Sequence, residues 1–319
     1  MRNFERKSRV RRRVVLIVPF LLVFCILGMV VFSIAKRISL EMSMSAIYNL
    51  NESLGLIGNT IETILSKEAE FQILIAQELA DGDDPEEFVL SYERNDTMVK
   101  ISLIYAGKTE GISNTGETFS EKGLDFSEGR TVDGLPLSRS YINDMGTWAY
   151  TMKCPVMKKD EEIASLYIEY IYDSFDEALP ESFYNSSAML YLMDSGSEKF
   201  VLKPKGMGER DAGHMNLEDF YYANKVREED IKKQVEDCIK DSENLMFYHD
   251  IQNKSSLNFI WMVNGGTICL VGYVPTEAIQ QEGKTVNYNI FIVVAVMLIA
   301  FFLCCMLYYF NQRQQRELL

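Results

Sequence analysis

The chain has 319 residues, with 32 Lys and Arg against 46 Asp and Glu, a net charge of −14. That acidity disfavours nucleic acid and anionic lipid as partners. Six cysteines with no Cys-x-x-Cys, and two histidines, exclude a disulfide-framed mini-domain and a zinc site of ordinary ligand spacing.

The chain opens on a basic stretch, residues 1–13, in which Glu5 is the one acid. Residues 14–35 then run without a charge, enough for the roughly 20 residues a helix needs to cross a bilayer. The run also exceeds the roughly 7–15 residues of a signal-peptide core, so it is expected to be retained as a transmembrane helix. Its Lys/Arg flank places the N-terminus in the cytoplasm. A second uncharged run, residues 290–310, ends on Tyr308, Tyr309 and Phe310, which suit a membrane interface. A stub, 311–319, follows with Arg313 and Arg316. The expected topology is a two-pass protein of the cell membrane with both termini cytoplasmic and residues 38–288 outside. The stub is helix-prone and carries no stop signal, so Leu319 reads as a cut within a helix.

Residues 36–84 read as one long helix. Ile47, Leu50, Leu54, Ile57, Ile61, Ile64, Phe71 and Ile75 recur in steps of three and four, broken at Glu68. Such a seam serves either helix pairing or packing on the chain's own sheet. Both uses fit one helix: the membrane-near half pairs in a homodimer and the distal half packs. The acidic run 81–87 resembles a calcium loop only in composition, because Pro85, Glu86 and Tyr92 stand at its fifth, sixth and twelfth positions. It reads as a solvated turn.

Strand patterns follow at 100–105, 111–116, 135–142, 148–157 and 162–172, with a polar excursion over 117–134 and a short helix at 124–126. The order then recurs: strands at 188–193 and 199–202, a loop at 206–215, a helix at 217–240, and strands at 245–250, 255–263 and 267–274. Asn264-Gly265-Gly266 joins the last two as a hairpin signal. These patterns divide the outer segment into units 85–173 and 174–277, each of five antiparallel strands, with an exit helix at 278–289 leading to the second span. The fold class is α+β. The cysteine spacings are wide; they leave open whether Cys238 pairs with Cys269, whereas Cys154 reads as a strand-core residue.

This order resembles the double Cache sensor domain, built of PAS-like units, of bacterial transmembrane receptors. Gly111-Ile-Ser-Asn-Thr-Gly116, Leu137-Ser-Arg-Ser140, Trp148 with Cys154-Pro-Val156, Tyr191-Leu-Met-Asp-Ser-Gly196 and Gly272-Tyr-Val-Pro275 carry the likeness. The resemblance implies the input module of a sensor histidine kinase, or alternatively of a membrane diguanylate cyclase or chemoreceptor, with its output domain outside this chain. A stand-alone membrane-anchored binding protein is the other alternative. The resemblance also implies a ligand pocket on the sheet of the membrane-distal unit, with 117–150 at its mouth. Arg130, Ser138, Tyr141, Asp144, Trp148 and Tyr150 are the candidate lining residues. Arg offers a bidentate fork and Trp and Tyr offer amphipathic walls, which suits a small polar or carboxylate ligand. No Arg stands two residues before Trp148, unlike the pattern of amino-acid-binding relatives. Kinase, P-loop, hydrolase and metalloprotease motifs are absent from the sequence. No catalytic residue, cofactor or metal is therefore expected.

Overall fold

The computed structural model describes residues 2–95, 97–126, 129–181, 183, 188–205, 214–251, 253–279, 288, 291–303 and 306. The side chains of residues 1–24, 27, 39, 42, 43 and 46 lie outside that description. So do most of the exit helix expected at 278–289, the stub at 311–319 and most of the loop expected at 206–215. Among the described residues no helix is long and apolar enough to cross a membrane. The span expected at 14–35 falls largely on undescribed side chains, and that at 290–310 partly on undescribed residues. The chain divides into residues 50–278, which carry all the strands, and a unit of 1–49 with 279–319.

Helix α1 (Arg2–Asp81) runs for 80 residues. Within residues 50–278 its buried side chains are Leu50, Leu54, Ile57, Ile61, Leu65, Ala69, Gln72, Ile75, Ala76, Leu79 and Ala80. Of the expected seam, Leu50, Leu54, Ile57, Ile61 and Ile75 are buried. Between Ile61 and Ile75 the stripe moves to Leu65, Ala69 and Gln72 and leaves Phe71 exposed, because a straight helix follows a period of 3.6 and drifts off a strict heptad. Each fully buried leucine here contributes about 1.5–3 kcal/mol.

The acidic run after α1 is more than a turn. Asp84 accepts hydrogen bonds from the Glu86 and Glu87 amides and caps α2 (Pro85–Ser91), with proline at the first helical position, where no N–H is needed. The strands then follow: β1 (Met98–Tyr105), β2 (Gly111–Ser113), β3 (Thr118–Phe119), β4 (Thr131–Val132), β5 (Leu135–Pro136), β6 (Tyr141–Ile142), β7 (Trp148–Lys158) and β8 (Glu161–Ile171). They form an antiparallel sheet of order β3-β2-β1-β8-β7-β6, plus the separate hairpin β4-β5. The single strand expected at 135–142 is thus divided: β5 pairs with β4, and β6 pairs with β7. This sheet has six strands where five were expected. The helix expected at 124–126 is displaced to a 3-10 turn at Glu121–Gly123, capped by Ser120.

The second sheet comprises β9 (Met189–Asp194), β10 (Lys199–Leu202), β11 (Leu245–Ile251), β12 (Lys254–Val263) and β13 (Ile268–Pro275), in the order β10-β9-β13-β12-β11. The helix expected over 217–240 is two helices, α3 (Leu217–Ala223) and α4 (Glu229–Asp241). The break follows from Asn224, whose amide bonds back to the Phe220 carbonyl, and from Lys225 at φ 58, a left-handed position that ends a helix. Tyr191, Phe200, Phe220, Val235, Ile260 and Val271 build the core of this half. Cys238 and Cys269 lie in that same core as free thiols. The Cys238 thiol donates to the Glu243 carbonyl at 2.7 Å.

Candidate functional site

Register decides which side chains of the first sheet share a face, since alternate residues of a strand point to opposite sides. Tyr150 pairs with Tyr170, and both hydroxyls reach Glu68 of α1: Tyr150 donates to the carboxyl and Tyr170 to the carbonyl at 3.1 Å. This face belongs to α1. The opposite face therefore carries Lys100, Glu169 and Thr151 in one row, and Ser102, Tyr167 and Lys153 in the next. Apolar strands with charged residues inserted on one side mark a face kept for something other than core.

The segment after β2 covers that polar face. The rings of Phe119 and Phe126 stand 5.0 and 6.4 Å from that of Tyr167. Glu121 accepts from the Tyr167 hydroxyl and from Lys153 Nζ at 2.9 Å, and the ammonium also sits 5.4 Å over the Tyr167 ring. Burial pushes Glu121 towards the protonated form, but the hydrogen bonds from Tyr167 and Lys153 outweigh it and hold the carboxyl below its usual value. Desolvation opposes the charge on Lys153, yet Glu121 and Tyr167 keep its pKa above the ordinary one. The ion pair is held in the charged form.

Beside this cluster opens a cleft of about 400 Å³, lined by Tyr105, Lys108, Glu121, Lys122, Lys153 and Tyr167 among others. Among the described residues Lys108 and Lys122 have no ion-pair partner, and Lys108 lies 5.1 Å over the Tyr105 ring. The lining thus combines aromatic walls, spare cations and two carboxylates, Glu121 fixed by Lys153 and Tyr167, and Glu162 bonded by Ser165. Among the described residues there is no cluster of acidic, histidine or cysteine side chains able to hold a metal.

The six residues singled out from the sequence take up separate positions. Ser138 is buried beside β7, where its Oγ accepts from the Thr151 amide at 2.9 Å. Tyr141 donates to Glu169 at 2.9 Å and shares a 2.7 Å hydrogen bond with Thr151; desolvation and the Glu169 charge raise its pKa. These two border the polar face. Asp144 is exposed, 3.8 Å from Lys100. Trp148 is half-buried, with Lys199 of the second sheet 5.9 Å over its ring. Tyr150 is buried on the α1 face among Tyr170, Tyr172 and Phe175. Arg130 is not part of a surface pair: it is buried, 2.5 Å from Asp194 at the end of β9, and donates to the Thr267 carbonyl at 2.6 Å. Lys100, Glu121, Lys153, Tyr167 and Glu169 escaped the sequence reading. The signal was Lys153 standing alone in the otherwise uncharged strand Trp148–Met157.

No protein-family model matches the chain, and no curated protein matches it. Solved structures do. The sensory domain of the Campylobacter jejuni chemoreceptor Tlp3 with isoleucine bound aligns at a TM-score of 0.53 with 11% identity, covering 76% of this chain and 97% of that one. The ligand-binding domain of the Pseudomonas aeruginosa amino acid chemoreceptor PctC, in complex with GABA, aligns at 0.51 with 13% identity, covering 72% and 99%. The extracellular domain of mmHK1S-Z2, described as a histidine kinase, aligns at 0.50 with 15% identity, covering 72% and 98%. The chain shares its fold with these sensory and ligand-binding domains.

Proposed function

We propose that this chain is the ligand-sensing input module of a transmembrane receptor. In this reading residues 14–35 and 290–310 span the cell membrane, residues 38–288 lie outside, and the output domain lies elsewhere. A sensor kinase is the favoured type of receptor. The observation that carries the reading is the polar face of the first sheet. Lys153, Tyr167 and Glu121 hold a charged, aromatic-walled cleft on the side of the sheet away from α1. Ser138 and Tyr141 bond Thr151 and Glu169 outside the lining of the cleft. A packed core has no use for such a face, whereas a small polar ligand does. The spare lysines favour a ligand with a carboxylate or another anionic group. The likeness to domains that bind isoleucine and GABA supports a ligand of that size. A homodimer along the membrane-near half of α1, where Leu40, Met44 and Tyr48 are exposed, completes the module.

Thermal-shift screening of the full chain with amino acids and organic acids tests this. A hit whose affinity falls at least tenfold in Lys153→Ala, but not in Trp148→Ala, supports the cleft. Equal losses in the two variants overturn it.

A further inference from the structure

Glu68 is a carboxylate placed where a helix meets a sheet core. Its side chain accepts hydrogen bonds from the hydroxyls of Tyr150 and Ser174. Tyr170 bonds the carbonyl of the same residue at 3.1 Å. Tyr172 and Phe175 pack on the Tyr150 ring at 4.9 and 5.9 Å, and the Tyr172 hydroxyl is tied to Ser140 at 2.6 Å. Tyr150, Tyr170, Tyr172 and Phe175 are all buried.

Among the described residues no cation offsets this carboxyl. The titratable groups facing it are Tyr150 from β7, Tyr170 from β8 and Tyr172 from the 3-10 turn that follows β8. Cys154 and Tyr92 act on Tyr170. The Arg130–Asp194 pair acts on Tyr172, with the Asp194 contribution the larger. On α1 itself the adjacent charges, Lys67 and Glu70, are exposed. Burial therefore dominates and pushes Glu68 up to about 8, with the bonds from Tyr150 and Ser174 offsetting it only in part. That direction favours the protonated carboxyl over the carboxylate.

We propose that Glu68 is a proton-binding site that governs the seating of α1 on the first sheet: with the proton bound the helix is seated, and release of the proton to water leaves a carboxylate that draws the helix away from the tyrosines. The site lies across the sheet from the ligand cleft and does not depend on what the cleft binds. It would make the module responsive to alkaline pH in its own right.

The linkage has a definite sign. A carboxyl that holds its proton more tightly in the folded state stabilises least at high pH. The relative loss begins above the ordinary value of 4.5 and is complete past about 8. Unfolding of the full chain and of Glu68→Gln, followed by circular dichroism from pH 5 to 9, reads this directly. The ratio of the wild-type unfolding constant to that of Glu68→Gln should rise about tenfold per pH unit up to about pH 8 and then level off. A ratio constant with pH overturns the proton site. Hydrogen exchange over residues 61–79, corrected for intrinsic rates, should quicken between pH 7 and 9 in the wild type and not in Glu68→Gln. Unchanged protection overturns the seating mechanism even where the slope is found. Should Glu68→Gln not fold, infrared spectra of 13C-glutamate-labelled wild type and Tyr150→Phe decide. A protonated carboxyl present at pH 7, whose titration midpoint moves up in Tyr150→Phe, supports the site, and its absence at pH 7 overturns it.

Discussion

Two glycines show how a single added methyl group acts in opposite directions. At Gly111 a Cβ would lie 1.8 Å from the Leu103 carbonyl oxygen, inside the β1-β2 ladder. Backbone cannot yield there, so Gly111→Ala should cost at least about 3 kcal/mol. At Gly55, in the interior of α1, a Cβ would sit 3.7 Å from the Trp261 ring, an ordinary contact. Gly55→Ala should stabilise by about 0.5–1 kcal/mol, because alanine restricts the unfolded chain and favours helix. Urea unfolding of both variants checks the two signs. The site was less legible at this scale than the strands were. Arg130 and Tyr150 are residue types that ligands recruit, yet tertiary pairing commits one to Asp194 and the other to Glu68. Nothing within a few residues of either in sequence announces those partners, which lie 64 and 82 positions away.

At the scale of elements, α1 separates two readings of one periodicity. The heptad seam extrapolates to Phe71, whereas the observed stripe runs through Leu65 and Ala69. Leu65→Ala should cost about 2–5 kcal/mol, as expected for an enclosed leucine. Phe71→Ala, at a residue 41% exposed, should cost under about 1 kcal/mol. Thermal denaturation of the two variants distinguishes the seams. The strands β7, β8, β12 and β13 were legible because long alternating runs carry their own period. The breaks were not. Residues 217–240 have helical composition throughout, and only the Asn224 back-bond and the Lys225 backbone divide them. In 135–142, Pro136 takes β5 out of the main sheet into a hairpin whose partner, β4, is too short to register as a strand.

At the scale of the whole molecule, the Arg130–Asp194 pair joins the segment covering the first sheet to the end of β9 in the second. Asn264 adds to the junction: its side-chain amide donates to the Thr131 carbonyl at 3.1 Å, and its backbone N–H donates to the Glu62 carboxylate of α1 at 2.8 Å. Arg130→Ala leaves Asp194 charged and buried, and should cost about 3–5 kcal/mol. The double change Arg130→Met with Asp194→Leu should recover most of that loss, because two apolar side chains carry no desolvation penalty. Guanidinium unfolding of the single and double variants measures the difference. A last consequence belongs to β7, where Tyr150 and Met152 face the helix while Thr151 and Lys153 face away from it, Lys153 into the cleft. Neighbouring codons thus answer to separate selective pressures. Under the proposed function, point changes at Lys153 and Tyr167 would retune the ligand while the α1 contacts stay as they are. A one-codon deletion in the same strand would exchange the two faces and lose both at once. Descendants of such a chain should diversify in ligand by substitution along these strands and by length change only in the loops between them.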